Sequence, residues 1–382
     1  MARFVIFLVF VIFLLLIINT YLCKRYGDLV KSYKLNKIYG RTMSLCLWFG
    51  LAIFLSSFFL QNWIYQHRTL TILIKYSSSF YIGIVIYSSL LFIMVDFIGY
   101  LGSFLRIPRK IKTCFFKIYA DGLIVPILAV LITLYAFYNA VDYKITTYEI
   151  SINKSSSIFS LDAVMISDLH VGTSIGKNEI EEIKTMIEKL SPQALFICGD
   201  IFDHSSNEEI MKFAAEKLGS IKTDYGIYFV TGNHEYYLKN MQKNLSYFNN
   251  TGIKVLQDEM VPIKDIYLVG RKDIHANDRT PLSEILDGAD KNRPIIILDH
   301  QPNTIDESIE NGADLQLSGH THNGQLFPFS YIVRLVNHSH YGIVESGSFN
   351  AVVSSGIGTW MFPIRTGSHS EIVRIKIKFL KK

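Results

Sequence analysis

Four long apolar stretches fill most of the first 140 residues, and after them the hydrophobic positions change their spacing. The stretches cover residues 3–22, 43–60, 78–101 and 122–140. Each is close to the ~20 residues a helix needs to cross a bilayer. Core helices of a large soluble protein carry polar interruptions, and here Asp96 in the third stretch and Pro126 in the fourth are the exceptions. Four membrane-spanning helices are therefore predicted. No small-residue cleavage site precedes Lys24, which favours an uncleaved first helix over a signal peptide. Asp96 sits near the end of its stretch, where it could mark an ion path or lie at the membrane interface.

From about Tyr148 the pattern is different. Short apolar runs at 163–167, 194–198, 227–231, 295–298 and 315–317 are the signature of strands buried on both faces. Between the first two, Ile180, Ile183, Ile187 and Leu190 recur at helical spacing. Ile210, Phe213, Ala214 and Leu218 do the same between the next two. Such alternation predicts an α/β domain with sheets inside and helices outside. Near the end, Val373, Ile375, Ile377 and Phe379 alternate with Arg374, Lys376 and Lys378, a half-exposed antiparallel strand. The chain thus divides into a membrane region at 1–142, a linker and first strand at 143–160, and a domain at 161–382. The segment SINKSSSIFS (151–160) is the expected junction.

Charge adds an orientation. Residues 23–41 carry Lys24, Arg25, Lys31, Lys34, Lys37 and Arg41 against Asp28 alone, and Arg106, Arg109, Lys110, Lys112 and Lys117 follow the third stretch. The connection between the second and third has only Arg68 and Lys75, with Trp63 as an interfacial anchor. The two basic loops are expected in the cytoplasm, which puts everything after Val141 outside it. Residues 1–149 hold a net charge of +10 and the whole chain +5, which leaves −5 for residues 150–382. The basic balance reports membrane loops, and no nucleic-acid partner is expected. Of the four cysteines only Cys198 lies beyond the apolar region, so no internal disulfide is expected there.

The polar residues that interrupt the second half have a common address. Asp168-Leu169-His170 follows the first short apolar run, Gly199-Asp200-Ile201-Phe202-Asp203 the second and Gly232-Asn233-His234-Glu235 the third. His300 follows the fourth and Gly319-His320-Thr321-His322 the fifth. All lie just past the carboxyl end of a predicted strand, where open α/β sheets form ligand crevices. Singly, an Asp after a strand is ordinarily a helix cap, Asn-His a turn and His-x-His an exposed face. Asp162, Asp299 and His204 read as bystanders, and Arg271 and Lys272 receive no role.

Together, D-x-H, G-D-x-x-D, G-N-H-E, H and G-H-x-H across residues 168–322 resemble the calcineurin-like metallophosphoesterase superfamily. LDHQP, GHTHNGQLFP and SSGIGTWMFPIRTGSHSEI are similar to its membrane-attached branch. The resemblance implies a four-layer α/β/β/α sandwich and two divalent metal ions, with Mn, Fe and Zn all suited to mixed nitrogen and oxygen donors. Asp168, His170 and His322 would hold one ion, Asn233, His300 and His320 the other, and Asp200 would bridge them. His234 would protonate the leaving alkoxide, oriented by Asp203. From the sequence alone Asp203 equally fits a cap for a helix at 205–218. Gly319 would let the backbone turn near the ions, and Glu235 would bond neighbouring backbone. Asn323 and Gln325 are candidate contacts to substrate or to groups that support the ligands, and Arg365 is a candidate phosphate contact through its fixed charge and forked donors.

The expected function is hydrolysis of a phosphate ester, with a diester of a lipid-linked or envelope substrate favoured, by water activated between the ions. The partners are the bilayer and that substrate. A ligand sensor without turnover is the alternative, and a transport path would rest on Asp96.

Overall fold

The computed structural model describes residues 2–60, 67–104, 124–172, 174–336 and 339–381. Two compact units emerge, Met1–Tyr138 and Asn139–Lys382. In the first lie α1 (Ala2–Ser32), α2 (Lys37–Phe59), α3 (Arg68–Phe104) and most of α4 (Ile124–Val141). All four are long and apolar enough to cross a membrane.

Helices α1 and α3 run past the apolar stretches that announce them. Helix α1 continues through Lys24 and Arg25 to Ser32, so the basic segment 23–41 is mostly helical and its loop spans only 33–36. Hydropathy marks where side chains are greasy, whereas a helix ends where its backbone finds a cap. Here Asn36 caps α2 by accepting from the Ile38 N–H at 3.0 Å. Helix α3 has 37 residues, about 55 Å at 1.5 Å per residue, and overruns a ~30 Å hydrocarbon layer. Asp96 pairs with Arg25 at 3.0 Å and accepts from the Tyr21 hydroxyl at 2.9 Å, which ties α3 to α1. Trp63 and the basic cluster at 106–117 lie outside the described residues.

The second unit begins its sheet within the segment read as linker and first strand. Strand β1 (Lys144–Ser156) runs through most of 151–160 and pairs in parallel with the last strand, β12 (Glu371–Lys381). Ile150 and Ile152 are buried, and these two apolar residues among polar neighbours hold the segment in the sheet. β12 in turn pairs antiparallel with β2 (Ser160–Ile166) and keeps the expected alternation of buried Ile375 and Ile377 with the more open Lys376 and Lys378. The first sheet has the order β1-β12-β2-β3-β4-β5, with β3 at Ala194–Cys198, β4 at Ile227–Val230 and β5 at Ile253–Leu256. The second runs β10-β11-β9-β8-β7-β6: β6 Glu259–Ile263, β7 Ile266–Gly270, β8 Ile295–Leu298, β9 Leu315–Ser318, β10 Gly342–Ser346 and β11 Phe349–Val353.

Alternation along the strands builds the layers. Leu161, Ala163 and Met165 of β2 and Phe196 of β3 meet Ile296, Leu298, Leu315 and Leu317 between the sheets. Their neighbours Val164, Ile166, Leu195 and Ile197 face outward onto α5 (Lys177–Leu190) and α6 (Glu208–Gly219). On the far side Val269, Ile295 and Ile297 pack against Leu282, Leu286 and Ile305. The result is the expected α/β/β/α sandwich, its central strands continuously apolar because both faces are covered. β2, β3 and β4 run parallel, as do β8 and β9.

Candidate metal centre

Each candidate ligand leaves its strand within a few residues and turns sharply. Asp168, His170, Asp200, His320 and His322 all have positive φ, between 47° and 72°. For non-glycine residues such backbone costs about 1–3 kcal/mol each and persists only where the surroundings impose it. Two of the glycines beside them serve close approach. A Cβ on Gly199 would fall against the His300 ring, and one on Gly319 against Asp168 and Ser167. Gly319 therefore matters for the space beside it, not for a turn, which His320 itself supplies.

The donor atoms fall into overlapping groups. Asp168, His170 and His322 have donors within 4.8 Å of one another, and so do Asp200, His300 and His320. Asn233 Oδ1 lies 3.1 Å from His300 Nε2 and 2.8 Å from His320 Nδ1. Asp200 Oδ2 faces both groups, 3.2 Å from His300 Nε2 and 3.9 Å from His170 Nε2. His234 joins His170 and Asp200 in a third group. Three strand ends of one sheet and two of the other thus converge.

Electrostatics fits a cation site. Burial pushes His170 and His320 down to about 4 and His322 well below the usual imidazole range. Neutral rings offer lone pairs, the form that binds metal. The Nδ1 atoms of His170 and His322 are buried without a hydrogen-bond partner among the described residues. Burial alone would raise Asp200, yet the neighbouring imidazoles, His300 foremost, hold it well below the ordinary carboxylate range. Burial also works against a charge on His300, but Asp200 outweighs it and raises that ring. Asp200 therefore draws positive charge to itself, and a divalent cation would replace the His300 proton. Buried Asp168 is raised to about 6.

Support around the ligands is extensive. Glu235 accepts from the N–H groups of Asp200 (3.0 Å), Phe202 (3.0 Å) and Gly232 (2.8 Å), bonding neighbouring backbone as expected and tying the β3 and β4 loops together. The His234 N–H donates to Asp200 Oδ1 at 2.8 Å. His320 N–H donates to both Asp168 oxygens at 3.1 Å.

Three candidates, Asp203, Gln325 and Arg365, are placed elsewhere. Asp203 accepts from Ser205 N–H and Oγ at 2.6 Å each, while His234 Nδ1 is buried with no partner among the described residues. The expected Asp203–His234 bond is absent among them. Nor is Asp203 the helix cap: α6 starts at Glu208, capped by Asn207. Gln325 spends its side chain on Trp360, Phe362 and Ile364. The Asn323 N–H binds the Thr321 hydroxyl at 3.2 Å.

Arg365 is wholly buried, donating to Ser355 O (2.9 Å), His369 O (2.6 Å), Ser368 Oγ (3.2 Å) and Gly358 O. A phosphate cannot reach it there, and it organises the C-terminal loop behind the ligands. Arg365→Ala should therefore cost about 2–4 kcal/mol of stability, read as a lower thermal midpoint. An unchanged midpoint with only weaker phosphate binding would restore the substrate role.

The residues read as bystanders have partners or distance. Asp162 pairs with Arg374 and Asp299 with Arg279. Exposed His204 is 6.4 Å from His234, ring to ring. Arg271, unassigned from sequence, is buried and bonds Asp258 and the Thr280 carbonyl. Lys272 pairs with Asp278. The sequence reading gave no role to Tyr237, which bonds the Asn233 side chain, or to Asp273, His275 and Gln301, which join it; the polarity of the 271–280 loop hinted at Asp273 and His275 alone.

Known proteins resemble the chain in sequence. Residues 163–324 match the family model for the calcineurin-like phosphoesterase domain. A zebrafish (Danio rerio) transmembrane protein with metallophosphoesterase domain is 32% identical over 270 residues, 66% of this chain and 61% of that protein. An uncharacterized Helicobacter pylori metallophosphoesterase is 34% identical over 223 residues, covering 57% and 60%. The chain thus spans about 60% of the length of these two relatives. An uncharacterized Aquifex aeolicus metallophosphoesterase is 30% identical over 260 residues, 66% of this chain and 98% of its own length. Among solved structures, a dimetal phosphatase from Danio rerio aligns with a TM-score of 0.34 at 12% identity, covering 50% and 86%. With its five motif blocks meeting at one point and a relative matched nearly end to end, the chain belongs to the calcineurin-like phosphoesterase family.

Proposed function

We propose that this chain is a multi-pass membrane phosphoesterase that hydrolyses a phosphate ester, preferentially a diester of a lipid-linked or envelope substrate, at a dinuclear metal centre outside the cytoplasm. The observation that carries the reading is the convergence of Asp168, His170, Asp200, Asn233, His300, His320 and His322 from both sheets, with Asp200 facing both donor groups. Asp168, His170 and His322 would hold one cation and Asn233, His300 and His320 the other, with Asp200 between. Such a pair would supply a water of lowered pKa and polarise the phosphoryl oxygen.

The chain's own residues do the rest. Neutral imidazoles and the Asn233 amide leave the centre net positive, which binds an anionic phosphoryl group. Asp200 fixes the spacing of the two donor groups and, through the His234 N–H, the start of α7 (Asn233–Tyr237). His234, partly exposed beside His170, delivers a proton to the departing oxygen. The membrane helices keep the centre near lipid-linked esters, and the charge asymmetry of the loops supports the extracytoplasmic placement.

The test is turnover of bis-p-nitrophenyl phosphate and of an envelope-lipid panel by the detergent-solubilised full chain with Mn²⁺. Metal-dependent release is expected, and its absence with intact metal binding would remove the catalytic reading. Accessibility of a C-terminal tag in intact cells checks the orientation: protection from an impermeant reagent would reverse it.

A further inference from the structure

Beside the ligands stands a chain of four side chains, two of them on segments that carry a ligand. Asp273 is fully buried. Its carboxylate accepts from the His275 N–H at 2.9 Å, from His275 Nδ1 at 2.6 Å and from Gln301 Nε2 at 2.8 Å. Gln301 directly follows His300. At the other end, His275 Nε2 lies 3.1 Å from the Tyr237 hydroxyl. Tyr237 closes α7, which begins with Asn233 and His234. Its ring stands edge-on to His234 at 5.6 Å and to His275 at 5.3 Å.

A carboxylate only accepts, so a neutral His275 carries its hydrogen on Nδ1 and offers Nε2 as an acceptor. Nε2 then receives the Tyr237 O–H. The phenolic oxygen, which also accepts from the Asn233 side chain, is left with one lone pair and no hydrogen to give. Tyr237 is 49% exposed, so a ligand can lie against it. A buried carboxylate that orients a ring that orients an exposed oxygen is more support than a fold contact requires. A phosphodiester has no hydrogen to donate, so the phosphoryl group is not what this oxygen reads. A hydroxyl on the esterified alcohol is.

We propose that Tyr237 is a specificity residue that accepts a hydrogen bond from a free hydroxyl on the alcohol portion of the substrate, as in a glycerol-like or sugar ester. Asp273 and His275 are positioning residues that act through it. The inference rests on the phosphoesterase reading of the adjoining centre and narrows its substrate class.

Calorimetric binding of glycerol 1-phosphate and of propyl phosphate to the Mn²⁺-loaded full chain tests it with a readout other than diester turnover. The two probes share a phosphate and three carbons and differ in hydroxyls. The parent is expected to prefer glycerol 1-phosphate by about fivefold, the worth of one neutral hydrogen bond. Tyr237→Phe should equalise the two, and His275→Phe should do the same without touching the ligand. Combining them should lose nothing more. Equal affinities in the parent, or a preference that survives Tyr237→Phe, would overturn the proposal. Hydrolysis of bis-p-nitrophenyl phosphate, measured on the same parent, reports separately on the catalytic reading. A chain that keeps the hydroxyl preference but turns nothing over would sink that reading alone.

Discussion

Asp200→Asn is expected to lower turnover by at least a thousandfold, about 4 kcal/mol of activation free energy, and to cut the bound metal from two ions per chain to one or none. The substitution keeps the side chain's size and one oxygen, so the 2.8 Å bond from the His234 N–H to Oδ1 can survive. What it removes is the negative charge. Asp200 Oδ2 stands 3.2 Å from His300 Nε2 and 3.9 Å from His170 Nε2, and no other carboxylate among the described residues belongs to the His300 group. Without that charge two cations at van der Waals range would repel across a buried, weakly screened gap. Elemental analysis with the turnover assay reads both effects. Full metal content with parental turnover would show that Asp200 does not bridge.

The second large effect is expected at His234, and its character differs. His234→Ala should leave two ions bound while turnover falls by about 10²–10⁴-fold, the usual contribution of a positioned proton donor. The loss should also depend on the leaving group. A nitrophenolate departs as a stable anion and gains little from a proton, so an alkyl diester should suffer more than bis-p-nitrophenyl phosphate. Geometry makes this a real discrimination, because a ring nitrogen of His234 lies within 4.8 Å of donor atoms of His170 and Asp200. If His234→Ala empties the centre, the residue is a ligand. If the loss is equal for both esters, it is not the acid.

Much of this architecture is legible in the sequence, for identifiable reasons. Strands buried on both faces are continuous apolar runs, so β2, β3, β4, β8 and β9 announce themselves. Polar residues just beyond each run then have one place to go, the carboxyl edge of the sheets. Less legible are features set by the backbone or by distant partners. The positive φ of Asp168, His170, Asp200, His320 and His322 is imposed by packing and has no mark in side-chain type. Arg365 lies in a glycine-rich tail that reads as a loop near substrate, but carbonyls of that tail hold its two terminal nitrogens. Asp203 fits an orienting carboxylate by motif, yet two serine groups beside it are nearer. The end of β1 within 151–160 reads as a junction because its partner, β12, lies more than 200 residues away. The pairing of Asp273 and His275 with Tyr237 is invisible for the same reason, since the loop and the helix turn meet only in the fold.

All of these expectations depend on a pair of divalent ions held by side chains from both sheets. The direct measurement is the number of Mn²⁺ ions retained per chain after the purified, detergent-solubilised full-length protein is loaded and desalted. The account predicts two. It would be contradicted by retention of none, or by a count that stays the same when His170 and His320, one from each donor group, are both replaced by alanine.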